Sequence, residues 1–274
     1  LFVQSDLAAA LTYMVDEERA AASGGREAGL SVARDAFYKG DIAEEMARFS
    51  QEQGGLLTLQ DLKEFTVQFE EPEVGHFREY TVFTCGPWCQ GPMLLQALAL
   101  LDGFDLAALG HNSADYVHTL VEAIKLAAAD REAYYGDPKF VDVPMDRLLS
   151  RAYADSRRSM IRAGEAWPEM PPAGDAGGAA HAGAPAAAAG RHVDRALDTT
   201  YLCVMDGQGN AFSCTPSDGV MRNTPVVPGT GLYPSGRGNQ SRTEPDHPSA
   251  IAPGKRPRLT PNPALAIREG AEVM

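Results

Sequence analysis

Two β-patterned runs separated by a glycine-rich turn constrain this chain more than any other feature. Residues 201–205 (Tyr-Leu-Cys-Val-Met) are apolar, and residues 211–215 (Ala-Phe-Ser-Cys-Thr) alternate. Between them, Asp206-Gly207-Gln208-Gly209-Asn210 supplies the glycines and the Asn that a hairpin needs for positive φ. Thr199 and Thr200 stand at the head of the first strand, directly after Asp198. Upstream, residues 164–191 are crowded with Pro, Gly and Ala, including Pro168, Pro171, Pro172, Gly174, Gly177, Gly183 and Pro185. Such a tract buries little apolar surface and tolerates cleavage. Where it ends at a Thr that opens a strand, it suggests a cleavable junction. A Thr freed there carries its own base, the α-amino group, beside its hydroxyl. The competing reading is two ordinary strand residues, a position Thr favours.

The chain has 274 residues, 44% of them hydrophobic, which suits one large or two ordinary domains. A formal net charge of −13 makes nucleic acid and anionic membrane poor partners. No apolar run is long enough for a membrane-spanning helix. The acidic cluster Glu70-Glu71-Pro72-Glu73 reads as a solvated face. The four cysteines are too few for a disulfide scaffold. Cys203 and Cys214 fall on the two strands of the hairpin, where a bridge is conceivable, but buried free thiols are the expectation. Cys85 and Cys89 lack the spacing and the second pair of a zinc knuckle, so neither a metal nor a cofactor is expected. Leu1 is not an initiator Met and residues 263–267 close the chain as a strand, so it reads as the central portion of a longer protein.

Helical patterns fill the first half. They cover residues 7–16 after Ser5 and 31–39 before Gly40. A third covers 42–53 after Asp41, with Ile42, Met46 and Phe49 on one face. Thr58 opens a short helix. Residues 65–69 and 79–85 read as strands. The Gly/Pro-rich loop Cys85-Gly86-Pro87-Trp88-Cys89-Gln90-Gly91-Pro92, either pocket lining or a rigid connection, leads into a helix over 93–101. Asn112 or Ser113 caps a long helix over 114–134 with an apolar stripe of Tyr116, Leu120, Ile124 and Ala128. Another helix covers 148–160.

Thr199-Thr200-Tyr201 with Val204, Asp206, Gly209, Asn210 and Ala211 resembles the start of the small subunit of the γ-glutamyltranspeptidases, which are N-terminal nucleophile (Ntn) hydrolases. The segment Ala129-Asp130-Arg131-Glu132-Ala133-Tyr134-Tyr135-Gly136-Asp137-Pro138, the run Lys255-Arg256-Pro257 and the passage from Tyr38 to Leu62 are similar to the same family. The resemblance implies an α/β (α+β) fold of the four-layer αββα sandwich type. It implies a large-subunit-like portion over 1–163, a linker over 164–198 and a small-subunit-like portion from 199 to 274. Asp198–Thr199 would be the cleavage junction, Thr199 the nucleophile, and Ser217, eighteen residues on, the hydroxyl that orients it. Asp130 and Arg131 could be catalytic by residue type, but a buried structural ion pair is the expectation.

Three departures from the family bear on substrate recognition. Gly219 stands where the family has a glutamyl-binding Asn. The stretch from Gly231 to Asn239 lacks the Gln and Asp that contact the substrate's amino group. Leu259-Thr260 replaces a Ser-Ser pair. Thr260 remains as a donor, and Arg222 and Arg237 are candidate replacements for lost carboxylate contacts. The resemblance further places an oxyanion-hole Gly-Gly after Met274 and a carboxylate-binding Arg before Leu1. The expected function is a self-cleaving threonine amidohydrolase, forming a large/small-subunit heterodimer. It would act on γ-glutamyl or similar small carboxylate-bearing amides, with water favoured over an amine as acceptor. Two alternatives are an acylase or oxamate-type amidohydrolase acting on a non-glutamyl amide, and a catalytically silent scaffold.

Overall fold

The computed structural model describes residues 3–177, 199–218 and 224–268. Asp198, Gly219 and Arg222 lie outside the described residues. The chain is mixed helix and strand in two compact units, one of Leu1–Phe69 with Asp218–Gly236, the other of Glu70–Ser217 with Arg237–Met274.

The first unit holds α1 (Ser5–Ala20), α2 (Arg26–Tyr38), α3 (Asp41–Glu52) and α4 (Leu59–Glu64). Ile42 and Met46 are buried with Ala10, Leu62 and Val227, and Phe49 packs against them, so the stripe read for α3 is its core face. Thr58 caps α4 reciprocally: its Oγ1 accepts from Asp61 N at 3.2 Å, and Asp61 Oδ2 accepts from Thr58 N at 2.8 Å. Ser5 is the first residue of α1 rather than its cap, and α2 starts at Arg26, before the expected residue 31. The strand expected at 65–69 does not form, and Val67 and Phe69 are exposed. Its Phe-Thr-Val-Gln-Phe alternation suits a strand, but β propensity is realised only against a neighbouring strand.

The second unit is built on β1 (Glu73–Phe77), β2 (Tyr80–Thr84) and β5 (Ala264–Arg268), with β2 central and antiparallel to both. The sequence did not signal β1, because Gly75 interrupts it. That glycine lets α5 (Gly91–Leu101) lie close on the sheet: a Cβ there would come within 2.9 Å of Leu95 Cδ2. Ser113, not Asn112, caps α6 (Ala114–Tyr134), accepting from Tyr116 N at 3.1 Å. The core face of α6 is not the stripe read from the sequence. Ala123, Leu126, Ala127 and Ala133 are buried together with Glu122 and Asp130, while Ile124 is exposed. Small residues allow close packing, and both carboxylates are partnered inside. Glu122 accepts from Lys125 Nζ at 2.7 Å, and Asp130 from Arg157 Nη2 at 3.2 Å and Gln96 Nε2 at 3.0 Å. The helix expected over 148–160 divides into α7 (Met145–Leu148) and α8 (Arg151–Arg158), the second capped by Ser150. The described start of the Pro/Gly tract is packed: Gly174 N donates to Asp130 Oδ1 at 2.8 Å, and Ala176 is buried.

The end of α6 is tied by charge to the chain between Arg242 and Arg258. Glu132 accepts from Arg258 Nη2 at 2.7 Å and from Arg242, with His247 Nε2 at 3.4 Å. Asp137 takes Arg256 N at 2.9 Å and Arg256 Nη2 at 3.0 Å. The acidic cluster is thus only partly a solvated face. Glu70 accepts from Arg256 at 2.6 Å and from Trp88 Nε1 at 2.7 Å, and Glu73 is half-buried in β1.

Candidate active site

The hairpin forms as β3 (Leu202–Met205) and β4 (Ala211–Cys214), with Leu202 opposite Cys214 and Met205 opposite Ala211. Asp206 fixes the turn: Oδ1 accepts from Gln208 N and Asn210 N, each at 2.9 Å, and Oδ2 from Asn210 Nδ2 at 2.7 Å. Gly209, at φ 85°, takes the left-handed position. Turn geometry sets strand register, and a slip of one residue would put every side chain on the other face. Carried outward, this register sets Thr200 against Pro216, where Thr200 N donates to Pro216 O at 3.1 Å. One residue further it sets Thr199 against Ser217, and the two hydroxyls lie 2.8 Å apart. The eighteen-residue spacing is therefore the geometry of a cross-strand pair.

Two more residues singled out in the sequence converge here. Arg237 opens a short 3₁₀ turn, Arg237–Gln240, which stacks its first and last side chains on one side. Arg237 Nε donates to Ser217 O at 2.8 Å, its Nη2 to both Ser217 O and Ser217 Oγ, and its Nη1 to Thr260 Oγ1 at 2.9 Å. Gln240 Nε2 reaches the same Thr260 hydroxyl at 3.2 Å, and Gln90 Nε2 donates to Thr260 O at 3.2 Å. Thr199, Ser217, Arg237 and Thr260 thus form one continuous hydrogen-bonded row. Gln90 and Gln240 escaped the sequence reading, since each is tied to Thr260 across a distance that no local pattern encodes.

The loop after β2 borders this row. Leu259 N donates to Trp88 O at 2.8 Å, and the Arg256 guanidinium lies 4.9 Å from the Trp88 ring centre. The reading of the loop as a rigid connection fits this bracing, and the loop flanks Thr260. Cys85 and Cys89 are free thiols within it, as are Cys203 and Cys214 in the hairpin. A hydrogen bond from Cys89 brings Cys85 down to about 7, against the opposing pull of burial. Contrary to expectation, Cys203 is exposed; it pairs across the hairpin with Ser213 rather than Cys214. Asp130 is structural as expected, but its partner is Arg157. Burial and the nearby Arg258 lower Arg131 to about 10. No group of three or more His, Cys, Asp or Glu side chains with metal-holding geometry occurs among the described residues.

Known proteins resemble this chain along nearly its whole length. The profile of the family described as Gamma-glutamyltranspeptidase matches residues 1–274. Acylase ACY 1 proenzyme of Pseudomonas sp. (strain SE83) is 34% identical over 272 residues, 98% of this chain and 42% of that protein. Glutathione hydrolase proenzyme of Escherichia coli (strain K12) is 32% identical over 251 residues, 86% of this chain and 40% of that protein. The solved structure of LmbA2991HD superposes with a TM-score of 0.85 at 37% identity, over 99% of this chain and 48% of that one. The chain spans about two fifths of the length of these curated relatives.

Proposed function

Because the chain belongs to the gamma-glutamyltranspeptidase family, we propose that it carries the processing junction and the nucleophile of a self-cleaving threonine amidohydrolase. The 2.8 Å contact between Thr199 Oγ1 and Ser217 Oγ carries the reading. In the precursor, Thr199 Oγ attacks the carbonyl carbon of Asp198. The peptide C–N bond breaks as the acyl group moves to oxygen, and the nitrogen takes the hydroxyl proton. Water then opens the ester, leaving a new carboxylate on Asp198 and a free amine on Thr199. That amine has an unperturbed pKa of about 7.7–8.0, which suits a general base near neutral pH. It takes the Thr199 hydroxyl proton as Oγ attacks a substrate amide, and passes the proton to the departing amine. Water completes hydrolysis of the resulting acyl-enzyme, or an amine completes transfer.

Thr260 is the substrate-facing donor in this reading. Its Oγ1 accepts from Arg237 and Gln240, so its one proton is left to donate to a further acceptor. We assign Arg222 a substrate-carboxylate contact on residue type alone. The substrate class is a γ-glutamyl or similar small carboxylate-bearing amide, with hydrolysis favoured over transfer because Gly219 and Leu259 weaken glutamyl and acceptor contacts. The processed protein is a large/small-subunit heterodimer with the four-layer αββα core of Ntn hydrolases. A second reading, an acylase acting on a non-glutamyl amide, is favoured by those same departures and by the likeness to a protein named an acylase.

The test is intact mass and N-terminal sequence of the full-length protein beside Thr199→Ala. A new N-terminus at Thr199, absent from the variant, is the expected result; an uncleaved wild type refutes it. A panel of γ-glutamyl anilides against acyl amides then separates the two substrate classes.

A further inference from the structure

We infer that Cys85 and Cys89 form a peroxide-reactive dithiol, in which Cys85 is the attacking sulfur, Cys89 the resolving one, and a disulfide closes within the loop that flanks Thr260. The inference is independent of the reading of Thr199 as nucleophile. It starts from the fold of the loop. Cys89 N donates to Gly86 O at 3.1 Å, so the chain turns back directly after Cys85. The return is tight, since a Cβ on Gly91 would lie 2.1 Å from Cys85 O. Two cysteines four residues apart are thereby brought together, and their thiols are in hydrogen-bond contact. Neighbouring sulfurs on a closed turn are the starting geometry for a disulfide.

The two sulfurs differ as an attacking and a resolving thiol must. Cys89 is fully buried, whereas Cys85 is partly exposed. The contact with Cys89 brings Cys85 down to about 7, against burial and the charge of Glu70, so much of it is thiolate at neutral pH. Cys89 is pushed upward, by Cys85 first and by burial second. Peroxide therefore meets a nucleophile at Cys85 and not at Cys89. Cys89 Sγ also accepts from Gly91 N at 3.4 Å, at the start of α5, a donor that steadies the sulfur as its proton leaves. An accessible, low-pKa thiol beside a resolving thiol is the arrangement in which oxidation stops at a reversible bond. The other two cysteines lack this relation. Cys203 lies opposite Ser213 and Cys214 opposite Leu202, so the hairpin turns them to different faces.

The Cys85 thiolate attacks one oxygen of hydrogen peroxide, the O–O bond breaks, and hydroxide leaves to become water. Cys85 is left as a sulfenic acid. Cys89 Sγ then attacks the Cys85 sulfur. The S–S bond forms, the S–O bond breaks, and the hydroxyl leaves as water with the Cys89 proton. Two thiols and one peroxide thus become one disulfide and two waters. The bond encloses Trp88, whose carbonyl accepts from Leu259 N at 2.8 Å, and adjoins Gln90, which donates to Thr260 O at 3.2 Å. Oxidation therefore acts on the loop that braces the Thr260 end of the row.

The test uses the full-length protein, reduced, freed of reductant and treated with hydrogen peroxide at neutral pH. Remaining thiols are alkylated in denaturant before tryptic mapping. Cys85 and Cys89 fall in one peptide, from Glu79 to Lys125. That peptide should lose two hydrogens and take up no alkyl group at either cysteine, and dithiothreitol should restore both thiols. Cys203 and Cys214 should still be alkylated when the pair has closed. In Cys89→Ser, dimedone should trap Cys85 as the sulfenic acid, with the adduct located by fragmentation. In Cys85→Ser, Cys89 should stay reduced. Four results each overturn the inference: both cysteines alkylated after peroxide, Cys85 driven to sulfinic acid without a disulfide, Cys203 oxidised ahead of the pair, or Cys89 oxidised in Cys85→Ser. If Cys85→Ser or Cys89→Ser does not fold, the wild-type map decides alone. A wild type that yields no Thr199 N-terminus refutes the nucleophile and leaves this thiol chemistry in place, so the two failures are distinguishable.

Discussion

Replacing Glu132 by Gln removes one negative charge from a site where three cationic or ionisable side chains converge. Its side chain is 17% exposed, Arg258 and His247 are 4% and 3% exposed, and Arg242 is 33% exposed. Gln keeps the shape but leaves the Arg258 guanidinium buried without its counter-charge and turns an N–H₂ toward a donor. Removing one partner of a buried pair costs about 3–5 kcal/mol. Arg242 is open enough to rehydrate, so the lower end applies, about 3 kcal/mol. For a unit of this size that corresponds to a fall in Tm of about 6–12 °C. The pH dependence has a definite sign. Burial works against the Glu132 charge, but His247, Arg258 and Arg242 outweigh it and hold the carboxyl well below the usual range. Stability from a depressed carboxyl is fully present above the unfolded value of about 4.3 and is lost as pH falls toward the folded one. The gap between wild type and Glu132→Gln should therefore be constant from pH 5 to 8 and shrink below about pH 4. Urea and thermal melts across that range test it. Glu165→Gln is the control, because the Glu165 pair with Arg162 is exposed. A gap under about 1 kcal/mol, or one that widens on acidification, refutes the reasoning. Under the proposed cut before Thr199, Glu132 and its partners fall on opposite sides of it, so the processed Glu132→Gln protein should also separate into subunits at lower urea.

Gly136→Ala should destabilise by about 1–3 kcal/mol in urea melts, because its Cβ would meet Pro248 O at 2.3 Å and the backbone must shift. Gly209→Ala meets open space, so it should cost only the strain of a left-handed residue, about 1–2 kcal/mol, read as a lower Tm and slower junction cleavage. Iodoacetamide labelling of Cys85 should rise through about pH 7 while Cys89, buried and pushed up by its hydrogen bond to Cys85, stays unlabelled in peptide maps. A Cys85 rate that climbs only above about pH 8.5, the ordinary thiol range, would contradict the Cys89 hydrogen bond.

What could be read from the sequence was what is encoded within a few residues. The Asp206-to-Asn210 turn, the Ser113 and Thr58 caps and the Ile42-Met46-Phe49 stripe each depend on neighbours at fixed short offsets, and each formed where read. The strand at 65–69 failed because alternation describes a surface, whereas a strand also needs a partner. The α6 stripe failed for a related reason. Periodicity assumes that apolar residues face inward, yet Glu122 and Asp130 are buried because Lys125, Arg157, Gln96 and Gly174 satisfy them. Three of those four partners lie on other elements, and a helical pattern carries no trace of them.

The row from Thr199 to Thr260 lies between these two cases. The pairing of Thr199 with Ser217 was legible only through the family resemblance; its physical basis is that an antiparallel hairpin turns a separation in sequence into contact once its turn is fixed. Arg237 was legible only as a type, a cation in a loop, and the carboxylate role given to it rested on that type alone. In the structure three of its hydrogen bonds run to Ser217 and one to Thr260. The two donors directed at Ser217 O fix the backbone at Ser217, and the one directed at Ser217 Oγ fixes the side chain. The same cation therefore holds both the main chain and the hydroxyl of the residue facing Thr199. Loss of Arg237 should loosen Ser217 in two ways, of which loss of Ser217 Oγ alone removes only one.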